Sequence, residues 1–155
     1  MRLTARTDLA MRVLMFCAAN PDRTVKKSEI AACCNASENH LGVIISRLGQ
    51  TGYLATTRGR HGGMRLGKAP NEISVGEIFR MFEEGLPFTE CYSSTGNNCP
   101  IITVCKLRPA IDRALAAFFR ELDGVTLQDL CAQTAPLQKI LGLSEVFACE
   151  GVATA

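Results

Sequence analysis

Residues 27–66 carry two short runs of apolar residues at helical period, a two-residue break between them, and then two short β-prone runs around a glycine-rich tip. Few folds accommodate that order in so short a span. In KSEIAACC, residues 27–34, Ile30, Ala31 and Cys34 share one face, and Ser28 is the expected cap. After Asn35-Ala36 the pattern resumes in SENHLGVIISRLG, residues 37–49. This run opens on Ser37, repeats apolar residues at Leu41, Ile44, Ile45 and Leu48, and closes on Gly49. Two short helices joined by a tight turn form a helix-turn-helix, whose second helix enters the major groove of DNA. Ser37, Glu38, Asn39, His40, Val43 and Arg47 point away from the apolar face and are the candidate readers.

The strand-forming runs are YLATT (53–57) and MRL (64–66), and the tip between them is RGRHGG, residues 58–63. Its glycines supply turn conformations, while Arg58, Arg60, His61, Arg65 and Lys68 add cations with no intervening acid. Such a hairpin is a wing suited to phosphate contact. Charge is divided along the chain in the same sense. Residues 1–68 hold eleven Lys and Arg against four acids (+7), and residues 69–155 hold six against eleven (−5). A basic first half meets a polyanion; an acidic second half does not.

Ahead of the motif, TDLAMRVLMFCAA (7–19) reads as a first helix with Leu9, Val13, Leu14 and Cys17 on one stripe. Asp8 lies in its first turn, four residues before Arg12, a placement favoured by the helix dipole and by i,i+4 pairing. Behind the wing, Ser74-Val-Gly-Glu77 opens a helix as a capping box. A long helix over 107–122 then carries Ile111, Leu115, Phe118, Phe119 and Leu122 on a broad apolar stripe. So little chain remains to cover that stripe that a homodimer interface is expected. The expected division is a winged helix-turn-helix domain over 1–72, a linker helix, cysteine loop and dimerisation helix over 73–143, and a tail over 144–155. The fold class is mainly α with a small β wing.

Between the last two long helices lies ECYSSTGNNCPIITVC, in which Cys91, Cys99 and Cys105 are separated by seven and then five residues. Structural zinc sites use closer pairs, because a short turn presents both thiolates to one small tetrahedral ion. Wider spacing suits a loop wrapped around a larger object, and three thiolates suit a cubane iron–sulfur cluster that lacks one protein ligand. Three unliganded thiols, a zinc or thiol regulator, and a redox or cluster-transfer protein are the other readings of the same residues. No run approaches the roughly 18 apolar residues of a membrane span, and MRLTARTDLAMR lacks the features of a signal peptide. The chain is therefore expected in the cytoplasm, away from membranes. No nucleophile and base are arranged for catalysis, so a non-enzyme is expected.

Taken together, MRLT and TDLAMR at the start, SENHLGVIISRLGQTGYL, RGRHGGMRLGKAP, ISVGEI and the spaced cysteines resemble the iron–sulfur winged-helix regulators that include NsrR, IscR and RirA. The resemblance covers about residues 1–143. NHL in the recognition helix and Asp8 place it nearest the NsrR type, the nitric-oxide-sensing repressors. That type implies a 4Fe-4S cluster, with a 2Fe-2S form as an alternative or degradation product. Its ligands would be Cys91, Cys99, Cys105 and Asp8 of the partner subunit. It further implies a homodimer on double-stranded, palindromic operator DNA, with nitric oxide as the signal. IscR-type members space the cysteines more tightly and use a histidine, which this loop does not offer. RirA-type iron-responsive repressors share the wide spacing and openings such as MRLT and CAAN, and are the alternative.

Overall fold

The computed structural model describes residues 3–59, 62–83, 89–93 and 96–131. The end of the expected 73–143 region, the expected tail over 144–155, and the tip residues Arg60 and His61 lie outside these. The element order is α1 (Ala5–Ala18), α2 (Lys27–Cys34), α3 (Glu38–Gln50), β1 (Leu54–Thr57), β2 (Gly63–Leu66), α4 (Val75–Glu83), α5 (Leu107–Asp123) and α6 (Leu127–Cys131). Among the described residues this is a helical protein with one two-stranded antiparallel sheet, as the sequence predicts.

Helix α1 starts two residues earlier than its apolar period suggests, because Thr4 caps it by accepting from the Thr7 amide. Its other end is closed by buried Asn20, whose amide donates to the Phe16 carbonyl oxygen at 2.9 Å. Helix α2 is not capped by Ser28, which lies within its first turn. Glu29 does that work by accepting from the Lys26 amide at 3.0 Å. The tight turn after α2 depends on Asn35, in the left-handed region at φ 47°, a conformation Asn tolerates better than most residues. Helix α3 runs through Gly49 to Gln50, and the left-handed residue that follows it is Gly52 at φ 77°. Ser37 sits at the N-cap position of α3 without making a side-chain capping bond.

The core contains Val13, Leu14 and Phe16 of α1, Ile30 of α2, and Leu41, Ile44 and Leu48 of α3. Each such side chain contributes about 1.5–3 kcal/mol of burial. The core continues past residue 72, since Ile73, Val75, Ile78 and Leu127 belong to the same cluster. Backbone bonds from Val75 to Val125 and from Leu127 to Ile73, both 2.9 Å, sew the start of α4 to the start of α6. Of the expected capping box on α4, one half is present: Ser74 Oγ accepts from the Glu77 amide at 3.4 Å, while the Glu77 carboxylate instead accepts from the Tyr53 hydroxyl at 2.7 Å. A complete box opens α6, where Thr126 and Asp129 bond reciprocally.

The wing pairs Leu54 with Leu66 through Thr57 with Gly63. Its base is pinned to the loop after α1, for Val25 and Met64 exchange backbone bonds of 2.9 and 2.8 Å. Helix α5 lies on α4 and buries none of its own residues completely. Their close approach depends on Gly76, where a Cβ would fall 2.1 Å from Asp123 Oδ1. Bidentate bonds from Arg80 to Asp123, 2.5 and 2.6 Å, lock the crossing.

Candidate functional site

The outer face of α3 presents Asn39, Val43 and Arg47, all exposed, with Val43 63% exposed in the middle of the helix. With Lys27, Ser46 and Gln50 they line an open depression of about 560 Å³. The acid on this face, Glu38, is offset by an ion pair of 3.2 Å to Lys27. Ser37 is exposed at the start of α3, next to these residues. His40, although exposed, belongs to a different surface. It lines a second depression of about 440 Å³ with Arg6 and Leu9 of α1, Ile44 and Phe82. The candidate readers therefore divide between two sides of α3.

On the wing, Arg58 is exposed at the end of β1. Arg65 is exposed too, but its guanidinium is engaged: it donates to Thr24 Oγ1 at 3.1 Å and to the Asp22 carbonyl oxygen at 3.3 Å. This fastens the wing to the loop between α1 and α2. Lys68 lies 4.1 Å from the centre of the Tyr53 ring. The Tyr53 hydroxyl is pushed up to about 12 by burial and by its bond to Glu77.

The expected thiol ligands occupy three consecutive pieces of local structure. Cys91 is in a single 3-10 turn, Glu90–Tyr92; Cys99 precedes the turns over 100–104; Cys105 stands two residues before α5. All three are free and half-buried. The seven-residue gap is shortened by the Asn98 amide, which donates to Glu90 Oε1 at 2.8 Å and so closes the loop between Cys91 and Cys99. Among the described residues no three His, Cys, Asp or Glu side chains converge on a point where an ion could sit. Soft, free thiols on neighbouring turns suit an iron–sulfur group, and binding itself is what gathers such ligands. Thr89 Oγ1 lies 3.0 Å from Cys91 Sγ.

Asp8 lies on the first turn of α1, half-exposed, and pairs with Arg12 at 2.9 Å. Next to this pair is Cys34, whose thiol is raised by burial, lowered by Arg12 and raised again by Asp8, with a net upward shift. Buried Cys17 is pushed up to about 12 by desolvation and partly drawn back by Arg23. Neither has the lowered pKa that marks a reactive thiol.

Two contacts are not visible in sequence patterns. Glu83, the last residue of α4, accepts at one carboxylate oxygen from the Thr4 amide (2.9 Å), the Thr4 hydroxyl (3.0 Å) and the buried Thr7 hydroxyl. Burial alone would raise its pKa, yet these bonds from Thr7 and Thr4 hold it below the usual carboxylate value. The spacing of Thr4 and Thr7 could have signalled a helix cap, but nothing in sequence pairs either with Glu83. The second contact joins Tyr92 to α5.

The residues expected to form a dimer interface also divide. Phe118 packs against Phe79 of α4, with ring centres 6.4 Å apart, and against Phe119 at 5.3 Å. Arg80 stacks on Phe119, and Leu122 packs on the core. Ile111 and Leu115 take no part in the core, and Leu107, at the start of α5, is 65% exposed.

A family model of iron-dependent transcriptional regulators, Rrf2, matches residues 3–133. The chain belongs to the Rrf2 family. It is 44% identical over 142 residues to the HTH-type transcriptional regulator NsrR of Geobacillus kaustophilus, covering 91% of this chain and 97% of that one. With the NsrR of Bacillus subtilis strain 168 it is 41% identical over 146 residues, covering 94% and 100%. The IscR of T. potens superposes with a TM-score of 0.66 at 24% identity, over 87% of this chain and 93% of the other, which shows the shared fold. As an Rrf2 protein the chain is a transcriptional regulator and not an enzyme. No helix among the described residues is long and apolar enough to cross a membrane.

Proposed function

We propose that this Rrf2 protein is a homodimeric, cytoplasmic repressor that holds an iron–sulfur cluster, 4Fe-4S in its working form, and leaves its operator when nitric oxide reaches that cluster. The observation that carries the reading is the set of three free, half-buried thiols between α4 and α5, in a chain whose opposite part displays a winged helix-turn-helix. The 44% identity to a protein named NsrR agrees with it.

In this reading Cys91, Cys99 and Cys105 hold the cluster, and Asp8 of the partner subunit completes the ligand set. When bound, the group supplies an iron open to a small diatomic. A carboxylate is a harder ligand than a thiolate, so the iron it holds is the one most readily approached. Asp8 is suited to bridging because it is half-exposed, and Arg12, its partner within the chain, is there to take it back. Helix α1 packs directly on α3. Loss of Asp8 as a ligand would cut the tie between α1 and the partner's cluster site, and the paired recognition helices would lose the spacing that a palindrome demands. Ser37, Asn39, His40 and Arg47 read or flank the major groove, while Arg58, Arg60, His61 and Arg65 belong to the wing. Ile111, Leu115, Phe118, Phe119 and Leu122 form the subunit contact. Functionally, residues 1–72 read DNA, and 73–143 sense and dimerise.

The test is to select duplexes from a random pool with anaerobic, cluster-loaded protein and then titrate nitric oxide. Release in step with loss of the cluster spectrum is expected; binding that persists through cluster destruction sinks the proposal. Asp8→Ala should change the visible and vibrational spectrum of the cluster. An unchanged spectrum removes Asp8 from the ligand set. The family's description as iron-dependent favours a second reading, an iron-responsive repressor. In that case iron limitation releases the operator and nitric oxide adds nothing beyond it.

A further inference from the structure

Tyr92, the residue after Cys91, is half-buried in the 3-10 turn Glu90–Tyr92. Its hydroxyl donates to Asp112 Oδ1 at 2.5 Å and lies 3.2 Å from the Arg108 carbonyl oxygen. The Arg108 guanidinium lies over the same ring, 5.2 Å from its centre. Arg108 and Asp112 are one turn apart on α5, so the phenol is held at its face and at its hydroxyl by a single helix face. A bond to a carboxylate is stronger than one between neutral groups, and a cation over the ring adds to it. Cys105 reaches the same helix by chain continuity, two residues before Leu107.

We infer that Tyr92 is a positioning residue: through Asp112 and Arg108 it fastens Cys91 to α5, so that two of the three thiols are set by the helix that joins the subunits. Its consequence for ligand geometry rests on the cluster reading, whereas the contact itself does not. Cys91 and Cys105 then keep a fixed relation to α5. Asp8 of the partner subunit is left as the ligand supplied from a different helix, so a shift of α5 against the partner's α1 acts on that one bond.

Tyr92→Phe keeps the ring and the cation over it but deletes the donor; Asp112→Asn keeps the size of the acceptor but removes its charge. In cluster-free protein, the rate at which a maleimide labels Cys91 is read by mass spectrometry, with Cys33 of the same molecule as internal reference. Either variant should speed Cys91 labelling by about tenfold, the equivalent of one hydrogen bond to a charged group. Cys33 should be unaffected. The double variant should be no faster than either single one, because both remove the same interaction. In cluster-loaded protein the same variants should speed removal of iron by a chelator by a similar factor. Labelling of Cys91 within about twofold of wild type overturns the inference, since surface changes without partners have effects of that size. Faster labelling with unchanged chelation limits the contact to the free chain and overturns the positioning role. A wild-type chain that takes up no iron and sulfide sinks the cluster reading instead, while labelling still decides the contact.

Discussion

Glu83 shows how much one side chain can organise here. Its carboxylate ties the last residue of α4 to Thr4, the cap of α1, and to Thr7, one residue before Asp8. Its pKa is lowered in the folded protein, so it binds a proton more weakly there than in the unfolded chain. The stability it adds is therefore present above the unfolded carboxylate value of about 4.3 and is lost as pH falls through the lower folded value. Glu83→Gln should cost about 1–3 kcal/mol at pH 7. Urea unfolding of variant and wild type should show that gap closing in acid. A gap that holds constant as the carboxylate is protonated would mean that the charge plays no part. The contact was not legible in sequence, because a carboxylate at the end of one helix and two threonines at the start of another share no periodicity. Cys91, Cys99 and Cys105 were legible as a set because their spacing is fixed by covalent sequence. That they do not converge with a further ligand among the described residues was not.

Among the elements, α3 has the clearest division of labour. Leu41, Ile44 and Leu48 are buried, while Val43 is 63% exposed between Asn39 and Arg47. Leu41→Ala should destabilise by about 2–5 kcal/mol, the cost of a cavity in a packed core. Val43→Ala should move stability by no more than about 0.5 kcal/mol, yet weaken selection of the operator if this face meets base edges. Thermal melts and DNA binding on the two variants separate these effects. A melting loss for Val43→Ala equal to that for Leu41→Ala would contradict the assignment of faces. The inward face of α3 was readable from its 3.6-residue period. Its outward face was readable only as a group, and His40 lies on the α1 side, where it shares a depression with Arg6 and Leu9 of α1 and Phe82 of α4. The wing's cations were readable too, but Arg65 spends its guanidinium on Thr24 and Asp22. The sequence shows a charge without showing what receives it.

For the molecule as a whole, the apolar stripe of α5 is shared between two tasks. Its C-terminal half, Phe118 to Leu122, is partly covered by α4 and the core, which leaves Ile111 and Leu115, with Leu107, as the part that a second copy would cover in the proposed dimer. Leu115→Asp should then give a folded monomer. Sedimentation should show half the mass of wild type, circular dichroism an unchanged helix content, and DNA binding a loss of well over tenfold, since two half-sites can no longer be held together. A dimer that survives this change would move the interface elsewhere. Gly76 has a related meaning: the short phrase around it is legible as a family resemblance, but the reason for a glycine appears only where α4 meets Asp123.

By itself the sequence determined the helix-turn-helix, the wing and the candidate ligand set, because period, turn chemistry and residue spacing are local properties written along the chain. Only the tertiary structure decided that one core runs from α1 through Leu127, and that Glu83 clasps the cap of α1. It alone placed Tyr92 on α5 and divided the surfaces of α3 and α5. Those are contacts between residues distant in sequence. They depend on how completed helices pack, and no local pattern encodes which faces will meet.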